Sequence, residues 1–232
     1  MPRHARGFDT QAAYEYLAKR DRKLGAWIKR IGAIDPDPRW RKSFDPVDAL
    51  ARAILYQQLS GKAAATIVGR VETAIASDRF HCDTLARCDD ATIRACGVSG
   101  NKLLALRDLA AREARGEIPA LRQMSTMDND AIVDALVPVR GIGRWTVEMM
   151  LMFRLGRADV LPIDDLGIRK GAQIVDKLDE MLSPKLLAER GERWGPYRTY
   201  ASLYLWRVAD FGAEAKATAK GSTKAPTKRS QD

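Results

Sequence analysis

The stretch from residue 136 to residue 165 constrains the fold of this chain more than any other stretch. It reads LVPVRGIGRWTVEMMLMFRLGRADVLPIDD. Proline interrupts helices and glycine permits unusual backbone angles, so we expect Pro138 to end one helix and Gly141 and Gly143 to form a tight turn. The apolar run that begins at Arg144 has helical spacing. The stretch therefore predicts two helices joined by a short turn, the second of them well buried.

The predicted turn is suited to binding an anion through its backbone. The first N–H groups of the second helix lack partners within the helix, and they lie at the positive end of the helix dipole. Such a helix start favours a phosphate group. The chain has a formal net charge of +9 and a pI of about 9.6, which favours a polyanionic partner such as nucleic acid. On charge alone, a merely soluble basic protein is an equal alternative.

The composition argues against metal-dependent and membrane-spanning classes of protein. The three cysteines, Cys82, Cys88 and Cys96, are too few for the four thiolates of a typical iron–sulfur cluster. The only histidines are His4 and His81, and no Cys-x-x-Cys pair is present, so we expect no zinc site. No apolar run approaches the roughly 20 residues of a membrane-spanning helix. The N-terminus has no apolar signal segment, so we expect a cytoplasmic protein.

Helical patterns dominate the rest of the chain, and no β-strand run is convincing. Asp45-Pro46 and Ser183-Pro184 each combine a capping side chain with a proline that suits the first turn of a helix. Residues 213–232 are mostly Ala, Lys, Thr, Ser and Gly. This composition predicts a disordered basic tail that adds non-specific affinity for DNA. The sequence therefore predicts an all-α core over residues 1–212.

Three further segments have more than one interpretation. Gln57 and Gln58 end an apolar helix, and locally they indicate no more than an exposed helix end. Asp164 and Asp165 are adjacent, and locally the pair indicates a helix N-cap. The segment GVSGNK, which ends at Lys102, suits either a second phosphate contact or a plain loop between helices.

The stretch from residue 136 to residue 165 contains LVPVRGIGRWTVEMMLMF followed by LPIDD. This pattern resembles the helix-hairpin-helix (HhH-GPD) DNA glycosylases. Within that superfamily it is most similar to the 3-methyladenine DNA glycosylase II branch, which acts on alkylated bases. The resemblance extends to residues 45–110 and 190–207. It implies a two-lobed helical fold with the active-site cleft between the lobes, and a hairpin at about residues 131–155.

The resemblance assigns the catalytic role to Asp165, with Asp164 as the second candidate and the likelier cap. Breaking an N-glycosidic bond develops positive charge on the sugar, and a nearby carboxylate stabilises it. A base alkylated at a ring nitrogen is already cationic and leaves without strong acid catalysis. Some relatives carry a lysine where this chain has Trp145, and that lysine forms a Schiff base. A tryptophan there implies hydrolysis without strand cleavage.

The resemblance also assigns contacts to the base, to DNA and to a cation. Gln58 takes the position of the side chain that enters the duplex where a base has been flipped out, and we call it the wedge. The base contacts are Trp206, Trp145 and Tyr204; the DNA contacts are Gln58, Leu59, Gly141, Gly143, Arg144 and Thr146; the carbonyl groups that could hold Na+ or K+ are those of Val137, Val139 and Ile142.

The function that the resemblance implies is a monofunctional DNA glycosylase. It would excise alkylated bases such as 3-methyladenine from duplex DNA in base excision repair, by base flipping and Asp-assisted hydrolysis. We expect no required cofactor and a monomer that is associated with the nucleoid if the source is bacterial. One alternative is a glycosylase for other damaged or mismatched bases. Another is a non-catalytic DNA-binding protein that uses the hairpin only to hold phosphate.

Overall fold

The computed structural model describes residues 6–222, and it describes the side chains only as far as residue 212. Within that range the secondary structure is entirely helical, so the prediction of an all-α fold is confirmed. Short 3-10 helices occur at Pro38–Arg41 and Glu192–Trp194. The α-helices in chain order are α1 Thr10–Arg20, α2 Arg22–Ile31, α3 Pro46–Tyr56, α4 Gly61–Ile75, α5 Cys82–Leu85, α6 Asp90–Ala95, α7 Gly100–Ala114, α8 Leu121–Met124, α9 Asn129–Leu136, α10 Arg144–Phe153, α11 Leu166–Asp176, α12 Pro184–Gly191 and α13 Arg198–Ser222.

The chain forms two compact units, and each unit combines two separate stretches of sequence. Unit 1 contains residues 6–8 and Asp37–Arg157, and therefore α3 to α10. Unit 2 contains Asp9–Pro36 and the described residues from Ala158 onward, and therefore α1, α2 and α11 to α13. None of these described helices is long and apolar enough to cross a membrane.

The core of unit 1 forms where the apolar faces of its helices meet. Helix α3 begins as the sequence predicts, because the Asp45 side chain accepts a hydrogen bond from the Asp48 N–H and Pro46 occupies the first turn. Leu50 and Ile54 on this helix are fully buried. Trp40, which is 4% exposed, donates its indole N–H to the Met152 carbonyl oxygen at 2.8 Å. Trp40 thus fixes its own segment to the end of α10.

In unit 2, α11 packs closely on α13 because glycines line the contact. A Cβ atom on Gly171 would lie 2.0 Å from the Leu205 carbonyl oxygen, and a Cβ atom on Gly167 would lie 2.8 Å from Cδ1 of Trp206. Both distances are too short for any side chain. The two glycines therefore let the backbone of α11 approach α13 more closely than other residues would allow.

A buried ionic cluster links further helices of unit 2. Arg190 of α12 pairs with Asp21 and with Asp176, and its Nε lies 2.8 Å from the Asp176 Oδ2. Asp21 ends α1 and caps α2, and it also accepts the Trp194 indole N–H at 2.8 Å. Desolvation opposes the charge on Asp21, but its hydrogen bonds with Arg190 and Trp194 outweigh it, and the pKa of Asp21 is lowered. The cluster satisfies charges that would otherwise be costly to bury.

The C-terminal helix extends further than the sequence predicts. Helix α13 runs to Ser222, inside the segment 213–232 that we predicted to be a disordered tail. Residues 223–232 lie outside the described residues, so for them the tail stays a prediction.

Candidate active site

The predicted hairpin is present in unit 1 between α9 and α10. Asp128 caps α9 by accepting a hydrogen bond from the Ala131 N–H at 2.7 Å. Gly141 has φ +78°, the left-handed region that glycine adopts without strain. Gly143 precedes α10 in an extended conformation, and no side chain caps that helix. No side chain therefore competes with a phosphate at the start of α10, as the phosphate prediction requires, although the Thr146 N–H already donates to the Gly143 carbonyl oxygen at 2.9 Å.

Two side chains from outside the hairpin form hydrogen bonds with its turn. The Asp108 carboxylate on α7 accepts a hydrogen bond from the Arg140 N–H at 2.8 Å. The Gln57 amide donates to the Gly141 carbonyl oxygen at 2.8 Å. These two contacts fix the peptide planes on either side of the turn, so the backbone that would meet a phosphate is arranged before DNA binds.

Arg144, which we predicted to bind DNA, is engaged within the protein. Its guanidinium lies 3.0 Å from the Asp130 carboxylate and 3.2 Å from the Glu148 carboxylate. Its side chain remains more than half exposed. Two neighbouring carboxylates offset its charge, so the hairpin offers DNA chiefly its backbone N–H groups.

The predicted wedge lies on the loop between α3 and α4, residues 57–60, which we call the wedge loop. Gln58 is exposed and has φ +56°, an uncommon conformation for a residue other than glycine. Leu59, its neighbour, is 40% exposed. Lys102, which we considered as a phosphate contact, instead donates its ammonium group to the carbonyl oxygens of Leu55 at 2.7 Å and Gln57 at 2.8 Å. Burial lowers the pKa of Lys102.

A cavity of about 640 Å³ opens within unit 1 beside the wedge loop and the start of α10. Its walls include the aromatic rings of Tyr56, Trp145 and Phe153. Trp145 is 48% exposed, and Thr146 and Gln58 also line the cavity. Aromatic faces attract cations and stack on planar bases. The structure therefore places two predicted DNA contacts and one predicted base contact around a single apolar cavity.

The predicted catalytic carboxylate, Asp165, is partly buried in unit 2 at the start of α11. Its Oδ1 accepts hydrogen bonds from the Ile168 N–H at 2.9 Å and from the Trp206 indole N–H at 2.8 Å. Asp165 is therefore the N-cap of α11. Our prediction that Asp164 is the likelier cap is wrong, because Asp164 precedes the cap and its side chain is exposed.

The contact between Trp206 and Asp165 depends on Gly167, a residue that the sequence analysis missed. A Cβ atom at this position would lie 2.8 Å from Cδ1 of Trp206 and 3.1 Å from Oδ1 of Asp165. Only glycine leaves room for the indole ring to reach the carboxylate. The motif Asp-Leu-Gly was visible in the sequence, but the need for glycine there becomes clear only from the position of α13.

Tyr204, which we predicted to contact the base, lies in the core of unit 2. It is fully buried, and its hydroxyl group donates to the Gly32 carbonyl oxygen at 2.8 Å. Its ring meets that of Tyr200 edge to face, with the ring centroids 5.1 Å apart. Burial raises the pKa of Tyr204. A side chain in this position offers no surface to a ligand, so we leave Tyr204 out of the base site.

The predicted cation site remains a set of backbone groups in the hairpin turn. Val139 and Ile142 are buried while Val137 is exposed, and the Val139 carbonyl oxygen accepts a hydrogen bond from the Ile142 N–H at 3.0 Å. A carbonyl oxygen has a second lone pair with which it could meet a cation. In the part of the chain that the structure describes, no cluster of His, Cys, Asp and Glu side chains could hold a metal ion.

The chain is similar over most of its length to known DNA glycosylases. The chain is 33% identical over 195 residues to "DNA-3-methyladenine glycosylase 1" of Schizosaccharomyces pombe, and the match covers 84% of this chain and 85% of that protein. A crystal structure of a DNA-3-methyladenine glycosidase from Bacillus halodurans superposes with a TM-score of 0.78 at 33% identity and covers 87% of this chain and 91% of that chain.

A second solved structure is of a 3-methyladenine DNA glycosylase from Schizosaccharomyces pombe in complex with abasic DNA. It superposes with a TM-score of 0.72 at 32% identity and covers 84% of this chain and 95% of that chain. Residues 51–196 match the family model described as the HhH-GPD superfamily base excision DNA repair protein. This range contains the wedge loop, the hairpin and Asp165. The chain therefore belongs to the HhH-GPD superfamily of base excision DNA repair proteins.

Proposed function

We propose that this protein is a monofunctional DNA glycosylase that releases alkylated bases such as 3-methyladenine from duplex DNA. Relatives at about one-third identity over most of their length are named DNA-3-methyladenine glycosylase or glycosidase, which supports the proposal. The observation that carries the proposal is Asp165, a partly buried carboxylate whose orientation is fixed by two N–H donors. The protein acts as a monomer on a damaged base, and no cofactor is required for hydrolysis.

The hairpin binds the sugar–phosphate backbone. The uncapped start of α10 and the Gly141–Gly143 turn present N–H groups to a phosphate oxygen. Because these donors are neutral backbone groups, the contact is independent of base sequence. A monovalent cation held by the carbonyl oxygens of Val137, Val139 and Ile142 would add positive charge at the same phosphate.

Gln58 enters the duplex in place of the damaged nucleotide, which rotates out of the base stack. The flipped base binds against aromatic side chains, for which Trp145 on the cavity wall is our first candidate. A base alkylated at a ring nitrogen carries positive charge. An electron-rich aromatic face stabilises that charge better than it stabilises a neutral base.

The Asp165 carboxylate acts on the sugar. As the bond between C1′ and the base nitrogen breaks, the bonding electrons go to the base, which leaves as a neutral molecule. Positive charge appears on the sugar and is stabilised by the carboxylate. Water then attacks C1′ and loses a proton, which the carboxylate can accept. The products are the free base and an abasic site. Trp145 has no amine with which to form a Schiff base, so the strand stays intact.

The experiment compares base release from methylated duplex DNA by the wild type and Asp165→Asn. Asparagine caps helices as well as aspartate does, so the variant keeps the fold and still binds DNA. Without the negative charge we expect base release to fall by at least about 10²-fold, the usual effect of losing one electrostatic stabiliser. Asp164→Asn is the matched control, because its side chain is exposed, and it should retain activity.

Two outcomes would contradict the proposal. A purified wild type that releases no alkylated base would leave a non-catalytic DNA-binding protein as the better description. An active Asp165→Asn together with an inactive Asp164→Asn would move the catalytic role to the neighbouring residue.

A further inference from the structure

One face of α7 contacts both DNA-binding segments of unit 1. Lys102, Ala105, Asp108 and Arg112 follow one another at intervals of three or four residues along this helix, so they share one side of it. Lys102 and Asp108 carry opposite charges, and each forms hydrogen bonds with a different segment. The wedge loop and the hairpin turn therefore meet the same rigid helix.

Lys102 fixes the N-terminal end of the wedge loop. Its ammonium group donates to the carbonyl oxygens of Leu55 and Gln57 at 2.7 and 2.8 Å. These carbonyl groups are at the C-terminal end of α3, where a helix has unsatisfied acceptors and partial negative charge. Gln58 follows immediately, with the left-handed backbone that an ordinary side chain adopts only when its surroundings impose it.

Asp108 and Ala105 fix the hairpin turn from the same face of α7. Asp108 accepts the Arg140 N–H at 2.8 Å, and Arg112 holds the carboxylate in place with its Nε at 3.0 Å from Oδ2. A Cβ atom on Gly141 would lie 3.3 Å from the Cβ atom of Ala105. The hairpin turn thus contacts α7 directly.

Gln57 links the two segments without an intermediary. Its backbone carbonyl oxygen accepts from Lys102, and its side-chain amide donates to the Gly141 carbonyl oxygen at 2.8 Å. Gln57 and Gly141 are 84 residues apart in the chain. One residue therefore connects the base of the wedge to the turn that faces the phosphate.

We propose that Lys102 and Gln57 are positioning residues that hold the wedge at a fixed distance from the phosphate-binding turn. The wedge then meets the duplex in register with the phosphate that the hairpin holds. Because the loop is ordered before binding, less conformational entropy is lost when Gln58 enters the stack. The inference rests on the wedge role that the proposed function gives to Gln58. It assigns no direct DNA contact to Lys102 or Gln57.

The test measures dissociation constants for an intact duplex and for the same duplex with a tetrahydrofuran abasic-site analogue. The proteins are the wild type, Lys102→Met and Gln57→Met, each with and without Gln58→Ala. Lys102→Met removes the ammonium donor, and Gln57→Met removes the amide donor without adding a charge. We expect Lys102→Met to reduce the preference for the abasic duplex by about tenfold, the typical effect of losing a hydrogen bond that involves a charge, and Gln57→Met to reduce it by about fivefold, because the hydrogen bond it loses is neutral. Affinity for the intact duplex should change little.

The Gln58→Ala background separates positioning from general support of the fold. If Lys102 and Gln57 act through the wedge, their substitution should have little further effect once the wedge side chain is gone. Lys19→Met is the matched control, because Lys19 is exposed on α1 and its loss removes one positive charge. It should leave the preference unchanged.

The proposal would be overturned if the substitutions reduced the preference for the abasic duplex equally with and without the Gln58 side chain. It would also be overturned if they reduced the affinity for both duplexes by the same factor. If Lys102→Met fails to fold in a thermal unfolding experiment, Gln57→Met still decides the question, since methionine is similar in size to glutamine and leaves no large cavity. Binding to an abasic analogue involves no base release, so a failure here is distinguishable from a failure of the proposed catalytic function.

Discussion

The hydrogen bond between Trp206 and Asp165 indicates a second role for this tryptophan beside the one that the sequence suggests. We predicted that its ring stacks on the flipped base. The structure shows the indole N–H directed at Oδ1 of the carboxylate, at 2.8 Å. Since hydrogen bonds to charged groups are stronger than neutral ones, this contact gives Trp206 a part in orienting Asp165 whether or not its ring also meets the base.

Trp206→Phe separates the two roles, because phenylalanine keeps an aromatic face and lacks the N–H donor. If orientation of Asp165 matters, kcat for base release should fall about tenfold, as expected for a lost hydrogen bond to a charged group. KM should change little. Steady-state kinetics on a methylated duplex would measure both. Trp27→Phe, at a partly buried position on α2, is the control. A rise in KM with kcat unchanged would instead favour stacking of the ring on the base.

The sequence identified Asp165 as a catalytic candidate but assigned the helix cap to its neighbour. Both aspartates have the same capping chemistry, and only the backbone decides which of them occupies the position before α11. Tyr204 shows a similar limit. Its spacing along α13 indicates a helix face, but the spacing does not reveal that this face packs against the core around Gly32.

At the scale of elements, the packing of α11 on α13 holds Asp165 and Trp206 together. Gly171→Ala tests this packing, because the new Cβ atom would lie 2.0 Å from a backbone oxygen that cannot move alone. We expect the free energy of unfolding to fall by about 1–3 kcal/mol, as overpacking typically costs. Chemical denaturation would measure it.

Gly69→Ala in α4 is a matched control for that change. A Cβ atom on Gly69 would meet nothing within 4 Å, so alanine should raise the free energy of unfolding by about 0.5–1 kcal/mol through helix propensity. If both variants showed the same change, the close approach of α11 and α13 would not limit stability.

Local signals predicted the elements of the hairpin well. Pro138 and the two glycines mark the end of α9 and the start of α10, and the structure confirms both helices. The sequence does not predict the hydrogen bonds that hold the turn. The contact from Gln57 to Gly141 joins residues 84 positions apart, and nothing in local spacing indicates such a pair.

At the scale of the whole molecule, positive charge should set the affinity for undamaged DNA. Residues 223–232 contain Lys224, Lys228 and Arg229 against Asp232. Ending the chain at Ser222 removes three cations and one anion, so the formal net charge falls from +9 to +7. If the tail binds phosphates, the slope of log K against log salt should become shallower by about 0.9 for each phosphate that the tail neutralises.

Fluorescence anisotropy over a series of salt concentrations would measure that slope, and kcat on methylated duplex should stay unchanged. An unaltered slope would show that the tail binds no phosphates.

The net charge of the chain was readable from the composition alone. The division into two units was not, because each unit combines stretches that are distant in the sequence.

The left-handed backbone of Gln58 has an evolutionary consequence. A residue with a side chain is less stable in this conformation than glycine by about 1 kcal/mol, so mutation to glycine would make the folded protein more robust. If Gln58 is the wedge that we propose, the same mutation would leave nothing to fill the space of an extruded nucleotide. Under that proposal, selection for a stable fold and selection for repair would act in opposite directions at this one position.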